Sequence, residues 1–182
     1  EVASRRGAPV AIEVLTAASP GPERGRPGEA VTLVPLFLLP GGHVRSDVPA
    51  IARAWRRRGP VQLLPFLGSW PAWQAALAEE VAHLRRGTGP AADPLLLHHP
   101  VAGHLAARYL EHLENVTGAR CRPTAYTAGP EDAIGMSGHQ PLLPLALASS
   151  RLTEGRSPSP GPPLLAREGC REAVLDLLEA LP

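Results

Sequence analysis

Apolar and polar positions follow two alternating periods along the chain. Pro9 to Thr16 (PVAIEVLT) has the two-residue period of a strand, and the ASPGPERGRPGEA stretch after it reads as a Pro/Gly loop. Val31 to Leu39 is apolar without alternation, which predicts a strand buried on both faces. The period then lengthens. Val48, Ile51, Ala52 and Trp55 fall on one helical face, with Ser46 or Asp47 as cap, Pro49 in the first turn and Gly59 as the stop. Val61 to Leu67 predicts a third strand. After SWP, Trp70, Trp73, Leu77, Val81 and Leu84 recur at three- and four-residue intervals and predict a helix.

The same alternation resumes at Pro94. LLLHH predicts a strand, residues 101–116 a helix with Leu105, Tyr109 and Leu113 in a stripe, and residues 121–127 a strand. A loop carrying Gly135, Met136 and His139 leads to the strand PLLPLALAS. SPSPGPP at 157–163 reads as a linker, followed by an amphipathic helix with Cys170, Val174, Leu177, Leu178 and Leu181 inward. Strands alternating with helices predict an α/β fold of two successive Rossmann-like units, each a parallel sheet flanked by helices. In such sheets the ligand crevice lies beyond the carboxyl ends of the strands, where His43, His98 and His99 fall.

Composition narrows the chemistry. With 182 residues and 44% apolar content the chain can bury a core, and a net charge of +1 gives no broad electrostatic footprint for nucleic acid or an anionic membrane. All 18 basic residues are arginine, so a phosphate-binding P-loop, a lysine Schiff base and a lysine general base are excluded. No nucleotide is expected. Cys121 and Cys170 form neither a disulfide framework nor a CxxC site, and core burial is the expectation for both. No secretory signal opens the sequence and its apolar runs fall short of the ~20 residues that span a bilayer, so a cytoplasmic location is expected.

Seven histidines remain as candidate ligands. His83 and His112 lie inside helical segments and read as ordinary surface or hydrogen-bonded residues. His43 differs, because Gly41 and Gly42 precede it. They permit either an unusual backbone conformation or the close approach of a flat ligand, or else form a plain strand-to-helix turn. A neutral imidazole there would ligate Fe, Co, Ni or Zn, and a single one holds metal weakly, which suits delivery better than storage. Asp47 is either the helix N-cap, which its position favours, or a carboxylate that orients the histidine. His98 and His99, adjacent on a strand, point to opposite faces, so at most one enters the crevice; His104 can face it from the first helical turn. His139 reads as a loop residue. No HxxxH or HExxH pairing is present, so a zinc hydrolase finds no support.

PLFLLPGGHVRSDVPAI resembles the signature of the sirohydrochlorin chelatase family (CbiX/SirB type), a P-L-F-L strand followed by a glycine-rich turn, a histidine and an acidic helix start. VQLLPFLGSWPAWQAALAEEV resembles the family segment that follows. From Pro94 to about Glu154 the chain looks like a second, diverged copy, in which Ala148, Ser149 and Ser150 stand where the first copy has its glycine-histidine turn. The resemblance implies chelatase-like units at 1–92, incomplete at its start, and 93–156, then a linker and helix at 157–182. It implies insertion of a divalent metal substrate, Co²⁺ or Fe²⁺, into a sirohydrochlorin-type tetrapyrrole without ATP. His43 and Asp47 are the implied catalytic residues, His43 and His98 (at the matching strand end of the second copy) the implied metal ligands, and Gly41, Gly42 and Arg45 are placed toward the carboxylate-rich substrate. The alternative is a metal- or tetrapyrrole-binding module without turnover in a larger protein. Further domains or a homodimer are the expected partners besides the tetrapyrrole.

Overall fold

The computed structural model describes residues 1–7, 9–15, 28–88, 93–124, 140–150, 152–153 and 161–181. The chain packs into two compact units, Glu1–Trp70 and Pro71–Pro182. Both are α/β with parallel strands, as the alternating periods predict.

In the first unit, a short helix α1 (Val2–Arg6) precedes β1 (Val31–Leu33), α2 (Val48–Arg56) and β2 (Val61–Leu63). β1 and β2 pair in parallel with Val31 opposite Val61 and Leu33 opposite Leu63. The βαβ connection is the one that parallel pairing requires. α2 buries Ala52 and Trp55 on the predicted face, and Arg58 lies 5.9 Å over the Trp55 ring, a role the run of arginines does not advertise. Gly59 allows a close approach: a Cβ there would sit 2.7 Å from the carbonyl oxygen of Glu29.

Three expectations fail in this unit, wholly or in part. The Pro9–Thr16 strand is not formed: residues 9–14 have no regular structure, and Val10, Ile12 and Val14 are exposed (Thr16 lies outside the described residues). Alternation alone does not make a strand without a neighbour to complete its hydrogen bonds. The strand predicted over Val31–Leu39 is regular only to Leu33 and is not buried on both faces, since Thr32 is exposed. Pro35 and Pro40 have no N–H to give a ladder, so the regular strand stops. The carbonyls of Pro35 and Phe37 accept from the N–H groups of Leu67 and Gly68. The strand predicted over Val61–Leu67 is likewise regular only to Leu63 and closes in a 3₁₀ turn, Leu67–Ser69.

In the second unit, α3 (Pro71–Thr88), β3 (Leu95–His98), α4 (His104–Thr117), β4 (Arg120–Pro123), β5 (Leu142–Pro144) and α5 (Glu168–Glu179) follow in order. The sheet order is β4-β3-β5, all parallel, with Leu96 opposite both Cys121 and Leu143. Central β3 is buried along its whole length, the double-sided burial that was expected of β1. Leu95, Leu97, Leu142 and Leu152 form one cluster. α3 buries Trp73, Leu77 and Val81, as its spacing predicts, and packs with α4 and α5. On α4 the buried positions are Ala106, Leu113 and Thr117, so Leu113 of the predicted stripe is buried while Leu105, in the first turn, is exposed. Gly118 closes it in the left-handed conformation (φ 68°), its N–H on the carbonyl of Glu114.

A second 3₁₀ turn, Leu164–Ala166, precedes α5, and the N–H groups of Leu164 and Leu165 bond the carbonyls of Ala146 and Leu147. In the first unit Leu67 and Gly68 likewise donate to carbonyls of the PLFL segment, at its first and third residues; here the acceptors are the third and fourth residues of PLAL at 144–147. α5 therefore packs as part of the second unit, whereas the division at 92/93 and 156/157 sets it apart and assigns α3 to the first copy. Arg167 and Glu80, both about nine-tenths buried, close a 2.7 Å ion pair between the start of α5 and α3.

Candidate metal and tetrapyrrole site

His43 begins a five-residue wide helical turn, His43–Asp47, that runs directly into α2. The N–H of Val48 reaches back to the carbonyl of His43, five residues away, rather than the usual four. Pro49 explains the wide register. It has no N–H for the carbonyl of Arg45, and its ring crowds that carbonyl, so the ladder opens one residue early. Such wide turns recur at functional sites.

This geometry decides between the two readings of Asp47. The backbone of Asp47 is already helical (φ −75°, ψ −46°) and its side chain makes no cap hydrogen bond, so it is not the N-cap its position suggests. Its Oδ2 instead lies 2.6 Å from Nδ1 of His43. The carboxylate accepts the Nδ1–H, which fixes the tautomer and leaves the lone pair on Nε2. The imidazole is 57% exposed, and Nε2 has no partner among the described residues. The ring also stacks on Phe37, with centroids 5.8 Å apart and planes at 25°. Sequence reading missed Phe37; its place in the PLFL run six residues earlier reads simply as core.

Gly41 and Gly42 need no special conformation. Neither has positive φ, Gly42 is in the right-handed helical region, and a Cβ on Gly42 would meet nothing within 4 Å. At Gly42 the turn does not demand glycine, and the missing side chain leaves bare backbone one residue before the imidazole. Arg45 is exposed, and its side chain forms no ion pair among the described residues.

Replacing Asp47 by alanine separates a positioning role from a capping one. Loss of an outer partner costs about 10- to 100-fold in metal affinity, whereas loss of a true cap costs about 1 kcal/mol of stability. The expected outcome is weaker Co²⁺ binding by titration calorimetry with an unchanged denaturation midpoint.

His98 ends β3 in the second unit and is 2% exposed. Its Nδ1–H donates to the carbonyl of His99 (2.7 Å), and its buried Nε2 has no partner among the described residues. Burial lowers its pKa from 6.5, opposed in part by the His99 hydrogen bond and by Glu114. The native state holds this imidazole neutral while the unfolded chain protonates it near 6.5, so the unfolded state binds more protons in acid. Stability is therefore expected to fall as pH drops below about 6.5. A His98→Gln variant should flatten that limb in urea denaturation curves taken from pH 7.5 to 5.

The other candidates separate. His99 is half-buried, His104 and His83 are exposed, and His112 Nε2 meets Gln74 Oε1 at 3.0 Å across α3 and α4. His139 lies outside the described residues. Burial pushes the Cys121 thiol up to about 12 and the Cys170 thiol up to about 11, so neither offers a thiolate at neutral pH. Among the described residues no three His, Cys, Asp or Glu side chains gather into a closed metal cage. None of the described helices is long and apolar enough to cross a membrane.

Neither a curated relative nor a solved structure matches the chain. One family model does, over about a third of its length, in the span that includes β1, the His43–Asp47 turn, α2 and β2. Over residues 24–84 the chain matches CbiX, the sirohydrochlorin chelatase family.

Proposed function

We propose that the chain presents a divalent metal, Co²⁺ or Fe²⁺, at His43 for ATP-independent insertion into a sirohydrochlorin-type tetrapyrrole. The observation that carries this reading is the His43–Asp47 pair: one ring nitrogen held by a carboxylate, the other open on an uncluttered surface. The CbiX match over the same residues supports it.

Metallation replaces two pyrrole N–H protons by the metal and strips its water ligands. A site for this step needs a ligand weak enough to let go and a face against which a planar ring can lie. His43 supplies the first through Nε2, and Asp47 holds the ring in place by accepting the Nδ1–H. The bare backbone of Gly41 and Gly42 supplies the second. Arg45, exposed and without an ion pair among the described residues, suits the carboxylates of such a pigment. His98 is proposed as a nitrogen ligand within its own unit, through its buried Nε2, and no step is assigned to it.

Anaerobic incubation of the chain with sirohydrochlorin and Co²⁺ or Fe²⁺, followed by absorbance, tests the reading: metallation above the spontaneous rate supports it. A second reading, metal or pigment binding without turnover, is favoured by the buried Nε2 of His98 and by Ala148, Ser149 and Ser150, which offer no ligand in the second copy. Binding without any rate enhancement would select it.

A further inference from the structure

We propose that Phe37 is a positioning residue for the His43 imidazole, acting as a fixed shelf that, with Asp47, leaves the ring one orientation and one free nitrogen. This rests on the reading of His43 as a metal-presenting residue and adds a component that reading does not contain.

An exposed histidine at a helix start ordinarily samples several rotamers, and a ligand that must first be ordered binds correspondingly more weakly. His43 is restrained at two independent points. Its edge is held by the 2.6 Å contact from Nδ1 to Asp47, and one face lies against Phe37 at 5.8 Å and 25°, within the range of offset aromatic stacking. Both restraints are anchored. Asp47 sits in the wide turn that Pro49 imposes on the start of α2. The backbone of Phe37 is tied by its carbonyl to the N–H of Gly68, and two residues earlier the carbonyl of Pro35 accepts from Leu67, so the ring projects from a segment held on two rungs. An imidazole gripped by its edge and one face can rotate neither about its own axis nor away from the surface. The remaining edge, carrying Nε2, is the only part left to meet a metal. An aliphatic residue of similar bulk at position 37 would fill the space without the preference for a parallel ring.

The test uses the full chain and the variants Phe37→Leu and Phe37→Tyr, each also made with His43→Ala. Two quantities are read: Co²⁺ affinity by calorimetry, and the order of the His43 ring by ¹³C relaxation of its labelled Cε1 in the metal-free protein. Phe37→Leu is expected to loosen the ring and weaken Co²⁺ about three- to tenfold, the value of one aromatic pair. Phe37→Tyr, which keeps the stack, should stay within about twofold of the parent. In the His43→Ala background Phe37→Leu should change nothing further. The proposal is overturned if ring order and affinity are unchanged in Phe37→Leu, or if affinity falls equally with and without His43, which marks general damage to the fold. Should the parent bind no Co²⁺, the functional reading falls by itself, and ring order still decides the role of Phe37.

Discussion

Replacing His43 by alanine is expected to cut Co²⁺ insertion into sirohydrochlorin by more than about 100-fold while leaving the fold intact. The size follows from the site's economy. Removing the outer carboxylate alone costs about 10- to 100-fold, so removing the ligand itself exceeds that. Nothing else nearby takes over, because among the described residues no further His or Cys completes a cage. The fold should survive because the imidazole is 57% exposed and buries little apolar area. Absorbance assays with both metals, run beside circular dichroism, give the comparison. Turnover in His43→Ala equal to the parent's would place the chemistry elsewhere, and the wide turn at 43–47 would then be only a way of starting α2.

The largest stability effect is expected at Arg167. Its guanidinium meets Glu80 at 2.7 Å with both side chains about nine-tenths buried, and its Nε also donates to the carbonyl of Pro162. Arg167→Met leaves the Glu80 carboxylate buried and uncompensated, at a cost of about 3 kcal/mol or more. For a unit of this size that lowers the melting temperature on the order of 10 °C. Glu80→Leu combined with Arg167→Met removes the stranded charge and should recover most of the loss, since a buried pair and a well-packed apolar pair are nearly equivalent. If the double variant is as unstable as the single, the pair's role is packing geometry rather than charge. The contact joins α5 to α3, so the same experiment asks whether the C-terminal helix is integral to the second unit.

Much of the architecture is legible along the chain because it depends on periodicity. Trp73, Leu77 and Val81 repeat at helical spacing and are buried in α3, and the continuous leucines of β3 are buried on both faces of a parallel sheet. The failures share one cause. Residues 9–15 of PVAIEVLT lie outside any sheet although the run reads as a strand, and Val31–Leu39 is apolar enough for a long buried strand that Pro35 cuts short. Both depend on which neighbour is present to receive hydrogen bonds, and periodicity does not encode a neighbour.

At the candidate site the sequence by itself determined the residue types, the bare glycines before a single imidazole, and the carboxylate four positions on. Its similarity to the CbiX family was readable from the same run. Only the tertiary structure decided what those residues do to one another. It turned Asp47 from a cap into the partner of Nδ1 by opening the helix register at Pro49, and it brought Phe37 onto the face of the ring. It also put His98 under cover, while His43 stayed in the open. The reason is physical: spacing fixes which side chains can share an element, whereas contact between a strand segment and a helix start is set by how the chain folds back.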